Sequence, residues 1–146
     1  LWLAGRKWLD ADDPLRGEGP LALNGVVALA GIPDLAAFAA PDGCGSAVSG
    51  LLGGEPGEVV DRVQRASPIA MVPFGVTQAL VIGELDPIVP RSQADSFADA
   101  ARQMGDQVAM TTILGAGHFE LVDPSHGGFE IIRADVLKAL ESAWSE

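Results

Sequence analysis

The sequence predicts an α/β fold built on a parallel sheet, and three observations carry that expectation. Apolar runs rich in β-formers lie at 25–30, 76–83 and 108–114, each short enough for a buried strand. The stretches between and after them have helical periodicity, and strands alternating with helices imply parallel pairing with helices laid against the sheet. Each run is followed within a few residues by an ionisable side chain: Asp34, Asp86 and His118 in turn.

The elements follow in order. Leu1–Leu9 is apolar with Arg6 and Lys7 near its end and reads as the last turns of a helix, and the acidic, Gly/Pro-rich 10–20 reads as a loop. GVVALA at 25–30 is the first strand; Asp34 then caps a short helix through Phe38. Residues 41–54 are Gly-rich and read as irregular, and 55–66 as an amphipathic helix with Val59, Val60 and Val63 on one side, stopped by Ser67-Pro68. The insert 33–68 is too long for a simple crossover and is expected to form a small cap over one end of the sheet. VTQALVIG at 76–83 is the second strand. Ser92 and Asp95 have the spacing of a capping box, Phe97, Ala101 and Met104 mark the inner face of the next helix, and Gly105 ends it. VAMTTIL at 108–114 is the third strand, and a last helix over 128–144 carries Phe129, Ile132, Val136 and Leu140 inward.

Composition narrows the function. The 146 residues are 48% hydrophobic, enough for one domain with a real core. Twenty acidic against 9 basic residues give a net charge of −11, so nucleic acid and anionic membrane are excluded as partners, since both attract basic surfaces. No apolar run reaches membrane-spanning length. The lone Cys44 forms no internal disulfide, which fits a reducing, cytoplasmic compartment. Residues 1–6 lack a signal-peptide pattern, and the first residue is not Met.

In an open α/β sheet, ligands bind beyond the carboxyl ends of the strands. Asp86 and His118 sit there on consecutive strands, and neighbouring strands are about 5 Å apart. A carboxylate beside one imidazole nitrogen leaves the other free as a base and stabilises the imidazolium. Pro87 and Pro90 stiffen the acid loop, and Gly115 and Gly117 allow close approach of other loops to the histidine. Glu84 reads as a solvated loop charge. Asp34 is an alternative acid, though a helix cap is its simpler reading. Cys44 reads as a loop or buried thiol, His126 as a surface residue, and Trp2, Trp8 and Trp144 as core or interface residues. Phe119 lines a pocket or packs. The two histidines make no metal site.

GELDPIVP at 83–90, then a helix, a strand and GAGHFELVDP at 115–124, resembles the acid and histidine segments of α/β-hydrolases. Ala66-Ser67-Pro68 and Asp42-Gly43-Cys44-Gly45 are similar to the bacterial esterase group related to dienelactone hydrolase, kynurenine formamidase-like enzymes and prolyl oligopeptidases. The resemblance covers nearly the whole chain. It implies a serine hydrolase acting on a small ester or amide, with Asp86 and His118 as catalytic acid and base and without metal or organic cofactor. In that family a G-x-S-x-G elbow carries the nucleophile, and no serine of this sequence has Gly two residues to either side. Residues 1–6 resemble the helix after the elbow, so the resemblance implies a serine upstream of Leu1. The chain is therefore expected to be the C-terminal part of an α/β-hydrolase whose nucleophile-bearing half is absent, and to be inactive alone. A half-sheet leaves an edge and apolar surface uncovered, so a homodimer or pairing with the missing half is expected. The competing expectation is a non-catalytic remnant or binding module on the same fold.

Overall fold

The computed structural model describes residues 1–41 and 43–141. Three strands, β1 (Gly25–Leu29), β2 (Thr77–Gly83) and β3 (Val108–Ile113), form one parallel sheet in the order β1-β2-β3. The register sets Val27 opposite Ala79 and Leu80 opposite Met110. Each strand is shorter than its apolar run: Ala30 leaves β1 with φ 42°, and Leu114 beyond β3 is exposed.

The alternation of β2 sorts the core. Leu80 and Ile82 point to one face, against Phe74, Phe97 and Ala98. Val81 points to the other, against Ile113, Leu121 and Ile132. The first face is covered by α1 (Trp2–Gly5) and α5 (Arg91–Gln103), the second by α6 (Phe129–Glu141). Phe74 and Phe97 are fully buried with ring centroids 5.7 Å apart, and burying such a side chain contributes about 1.5–3 kcal/mol.

Several local expectations are corrected. Residues 41–54 are not irregular throughout, because Ser46–Leu52 is a helix (α3, after α2 at Leu35–Phe38). Gly50 within it and the glycines around it hide it, but Val48 and Leu52, four residues apart, bury into a cluster with Leu35 and Val63, and tertiary burial overrides weak propensity. It stops at Gly53 in the left-handed region, φ 70°, where Arg62 donates to the Leu52 carbonyl at 2.7 Å. The following helix, α4, spans only Val60–Ala66, and Val60 is exposed rather than inward. The capping box of α5 does not form. Pro90 is the N-cap, which puts Ser92 inside the first turn, and Asp95 pairs with Arg91 at 3.2 Å. Met104 falls past the end of that helix and is exposed.

The inner face of α6 is also rotated from the expected one. Ile132 is buried and Ala139 lies against Gly25, whereas Val136 and Leu140 are 41% and 53% exposed. The expected end of this helix, 142–144, and with it Trp144, lies outside the described residues, as does Asp42. Trp8 is exposed, with its indole donating to the Pro73 carbonyl, and Trp2 is half-buried.

The segment 33–68 makes α2, α3 and α4 around their own apolar cluster of Leu35, Val48, Leu52 and Val63. One polar side chain closes its two ends on each other, and another ties it to α5. Buried Ser67 accepts from Leu35 N and donates to the Pro33 carbonyl, both at 3.0 Å. Gln93 of α5 brackets the Asp34 backbone, accepting from its N–H at 3.0 Å and donating to its carbonyl at 3.1 Å.

β1 is paired on one side only among the described residues. Ala30 N donates to Val81 O at 2.8 Å, so the alternation of a parallel ladder turns the N–H and C=O of Val27 and Leu29 to the open side. An apolar trough of about 720 Å³ runs beside that edge, lined by Leu1, Trp2, Ala28, Leu29, Leu35 and Leu52 among others. Among the described residues no helix is long and apolar enough to cross a membrane.

Candidate active site

The loops leaving β2 and β3 are laced together. Glu84 N donates to Ile113 O at 3.0 Å, and Leu85 N to Ala116 O at 2.8 Å. Gly83 permits this approach. A Cβ there would overlap the carbonyl oxygens of Ala116 and Gly117, so any side chain would force the two loops apart.

Asp86 is fixed by three hydrogen bonds. Its Oδ1 accepts from Ile88 N at 2.8 Å and Val89 N at 3.0 Å, and its Oδ2 lies 2.8 Å from His118 Nδ1. Pro87 has no N–H to offer, so the carboxylate reaches past it to the next two amides. Those amides, more than the proline rings, set its direction. The side chain is 4% exposed. Burial pushes its carboxyl up, but the N–H of Val89, the imidazole of His118 and the N–H of Ile88 outweigh that and hold it below the usual carboxylate range.

This depression has a pH consequence with a definite sign. A carboxyl whose folded value is depressed contributes stability that is fully present above its unfolded value, about 3.9. The contribution is lost as pH falls through the lower folded value. Acid unfolding of the wild type should therefore lose this contribution below about pH 4, and Asp86→Asn should flatten that limb. Circular dichroism followed from neutral pH downward checks it; equal slopes in the two proteins would remove Asp86 from the acid response.

His118 precedes a 3-10 turn at Phe119–Val122, anchored by buried Leu121. Phe119 is exposed except for an edge contact with the imidazole, centroids 5.2 Å apart at 88°. The side chain of His118 is 26% exposed. A carboxylate accepts only, so its contact with Nδ1 selects the tautomer with the proton there and a lone pair on Nε2. Among the described residues Nε2 has no hydrogen-bond partner.

The other candidates lie elsewhere or act differently. Asp34 caps α2, accepting from Ala37 N at 3.0 Å. Cys44 is exposed. His126 is half-buried rather than on the surface, with Nδ1 accepting from Gly128 N at 3.1 Å just before α6. Glu84 is not simply solvated, because its Oε2 accepts from Gly115 N at 2.9 Å. Sequence reasoning gave no role to Gln93, or to Asp106, which accepts from Phe74 N, Gly75 N and Gln78 Nε2 at 2.6–2.9 Å. Neither residue belongs to a motif.

No protein-family model matches the chain, and comparison with curated proteins gives no match. Solved structures do match. A truncated form of a carbohydrate esterase from gut microbiota superposes with a TM-score of 0.72 at 23% identity, over 99% of this chain and 55% of that one. The chain shares the α/β fold of the part of that structure it covers. An acetyl ester-xyloside bifunctional hydrolase from Caldicellulosiruptor lactoaceticus matches with a TM-score of 0.68 at 22% identity, over 97% of this chain and 52% of that one. A thermophilic esterase from the planctomycete Thermogutta terrifontis matches at 0.63 and 17%, over 90% and 46%. The chain thus spans about half the length of the structures it resembles. At these identities the likeness is one of fold.

Proposed function

We propose that this chain supplies the acid and base of a serine hydrolase that cleaves a carboxylic ester or amide. The observation that carries the reading is the 2.8 Å contact between Asp86 Oδ2 and His118 Nδ1, with Nε2 left open at the end of a parallel sheet. His118 takes the proton of a serine hydroxyl through Nε2 as the serine attacks the substrate carbonyl. Asp86 holds the ring and balances the imidazolium. His118 then returns the proton to the leaving alcohol or amine. The solved structures sharing the fold are described as esterases or an ester hydrolase, which favours an ester over an amide. The reading requires a serine and oxyanion donors from polypeptide outside these 146 residues. The open edge of β1 and its trough are the surfaces that such a half would cover.

The test is labelling with a serine-directed fluorophosphonate, read by intact mass and peptide mapping. The 146-residue chain alone should stay unlabelled. Adding the complementary half, in one polypeptide or as a second chain, should give one serine adduct that disappears in His118→Ala. An adduct on the 146 residues alone would mean that they hold their own nucleophile.

A further inference from the structure

We propose that Glu84 is a positioning residue for His118, acting by holding the glycine turn that presents the histidine. The inference rests on the reading of Asp86 and His118 as a working pair. Glu84 is the first residue after β2, and it grips the turn leaving β3 at both ends. Its own N–H donates to Ile113 O at 3.0 Å, and its carboxylate accepts from Gly115 N at 2.9 Å. Gly115 sits in the left-handed region at φ 71°, which glycine alone adopts without strain. The turn is thus soft by composition, and it lies three residues before the imidazole. The side-chain bond spans 31 positions of sequence, joining the acid loop to the histidine loop. A second carboxylate continues the clamp, as Glu120 Oε2 accepts from Gly117 N at 3.0 Å. Both glycine amides before His118 are held in this way, and charge-assisted hydrogen bonds are the stronger kind.

The His118 Nδ1–H proton, shared with Asp86, reports this directly. It should give a far-downfield proton resonance in the isotope-labelled 146-residue chain, absent in Asp86→Asn. In Glu84→Ala its exchange with solvent should be about tenfold faster, the factor expected for one lost hydrogen bond. Glu84→Gln keeps an acceptor oxygen without the charge, so its exchange should fall between wild type and Ala. An Ala variant with unchanged exchange would overturn the proposal, and so would a Gln variant that fails to restore the resonance. Wholesale loss of the amide spectrum in Ala but not in Gln would support the need for an acceptor. The readout involves no turnover, so it stands or falls apart from the fluorophosphonate result: a resonance absent from wild type would count against the Asp86–His118 pair itself.

Discussion

In a protein that joins this chain to the proposed serine-bearing half, Asp86→Asn is expected to lower kcat by about 10⁴-fold with the fold intact, the loss seen when a triad aspartate is made isosteric but uncharged. The local hydrogen bonds say why the loss should be so large. Ile88 N and Val89 N both donate to Oδ1. An asparagine must keep its carbonyl oxygen there, because turning the amide would set its NH2 against two N–H donors. Its nitrogen is then forced into the Oδ2 position, 2.8 Å from His118 Nδ1. A donor at that place requires Nδ1 to accept, which moves the ring proton to Nε2 and occupies the one nitrogen that could take a proton from serine. The variant is thus poisoned by its tautomer as well as weakened by lost charge. Steady-state kinetics with a chromogenic ester checks the rate, and 15N shifts of His118 check the tautomer. A loss below tenfold would remove Asp86 from the mechanism. A large loss with the proton still on Nδ1 would leave charge alone as the cause.

The pair was legible in the sequence because it is written locally. Each residue follows a run of apolar β-formers, and the fold fixes which end of a strand faces the ligand. The clamp around it was not legible. Glu84 in a polar loop looks like any exposed carboxylate, and its partner Gly115 is a backbone amide that leaves no mark on composition. Helix α3 was hidden for a related reason. Gly50 within it and the glycines flanking it lower the intrinsic signal, and only Val48 and Leu52 facing Leu35 and Val63 make it worth forming. The outward positions of Val136 and Leu140 show the limit of periodicity. An apolar stripe predicts that a face seeks cover, but here the helix is turned so that Ile132 is buried and Ala139 lies close to Gly25.

Asp106→Ala should be the most damaging substitution far from the histidine, at a cost of at least about 3 kcal/mol. The carboxylate is buried just before β3 and accepts three hydrogen bonds: Oδ2 from Phe74 N at 2.6 Å and from Gln78 Nε2 at 2.9 Å, and Oδ1 from Gly75 N at 2.8 Å. Removing it leaves three donors without that partner around a fully buried Gln78, whose Oε1 already has none among the described residues. Asparagine should not rescue fully, since its NH2 must face Phe74 N and Gln78 on one side or Gly75 N on the other. For a chain of this length the loss corresponds to a fall in Tm of roughly 6–12 °C, and urea unfolding gives the free energy itself. A cost under about 1 kcal/mol would mean that water replaces the carboxylate at little penalty. The consequence reaches the candidate site through the ladder. Asp106 joins the entrance of β3 to the entrance of β2, where Gln78 pairs with Val108, and that register continues to Gly83 opposite Ile113. Asp86 and His118 leave the far ends of these two strands. A slip of one residue would displace one loop by about 3.3 Å along the other, more than the 2.8 Å contact between carboxylate and imidazole can absorb.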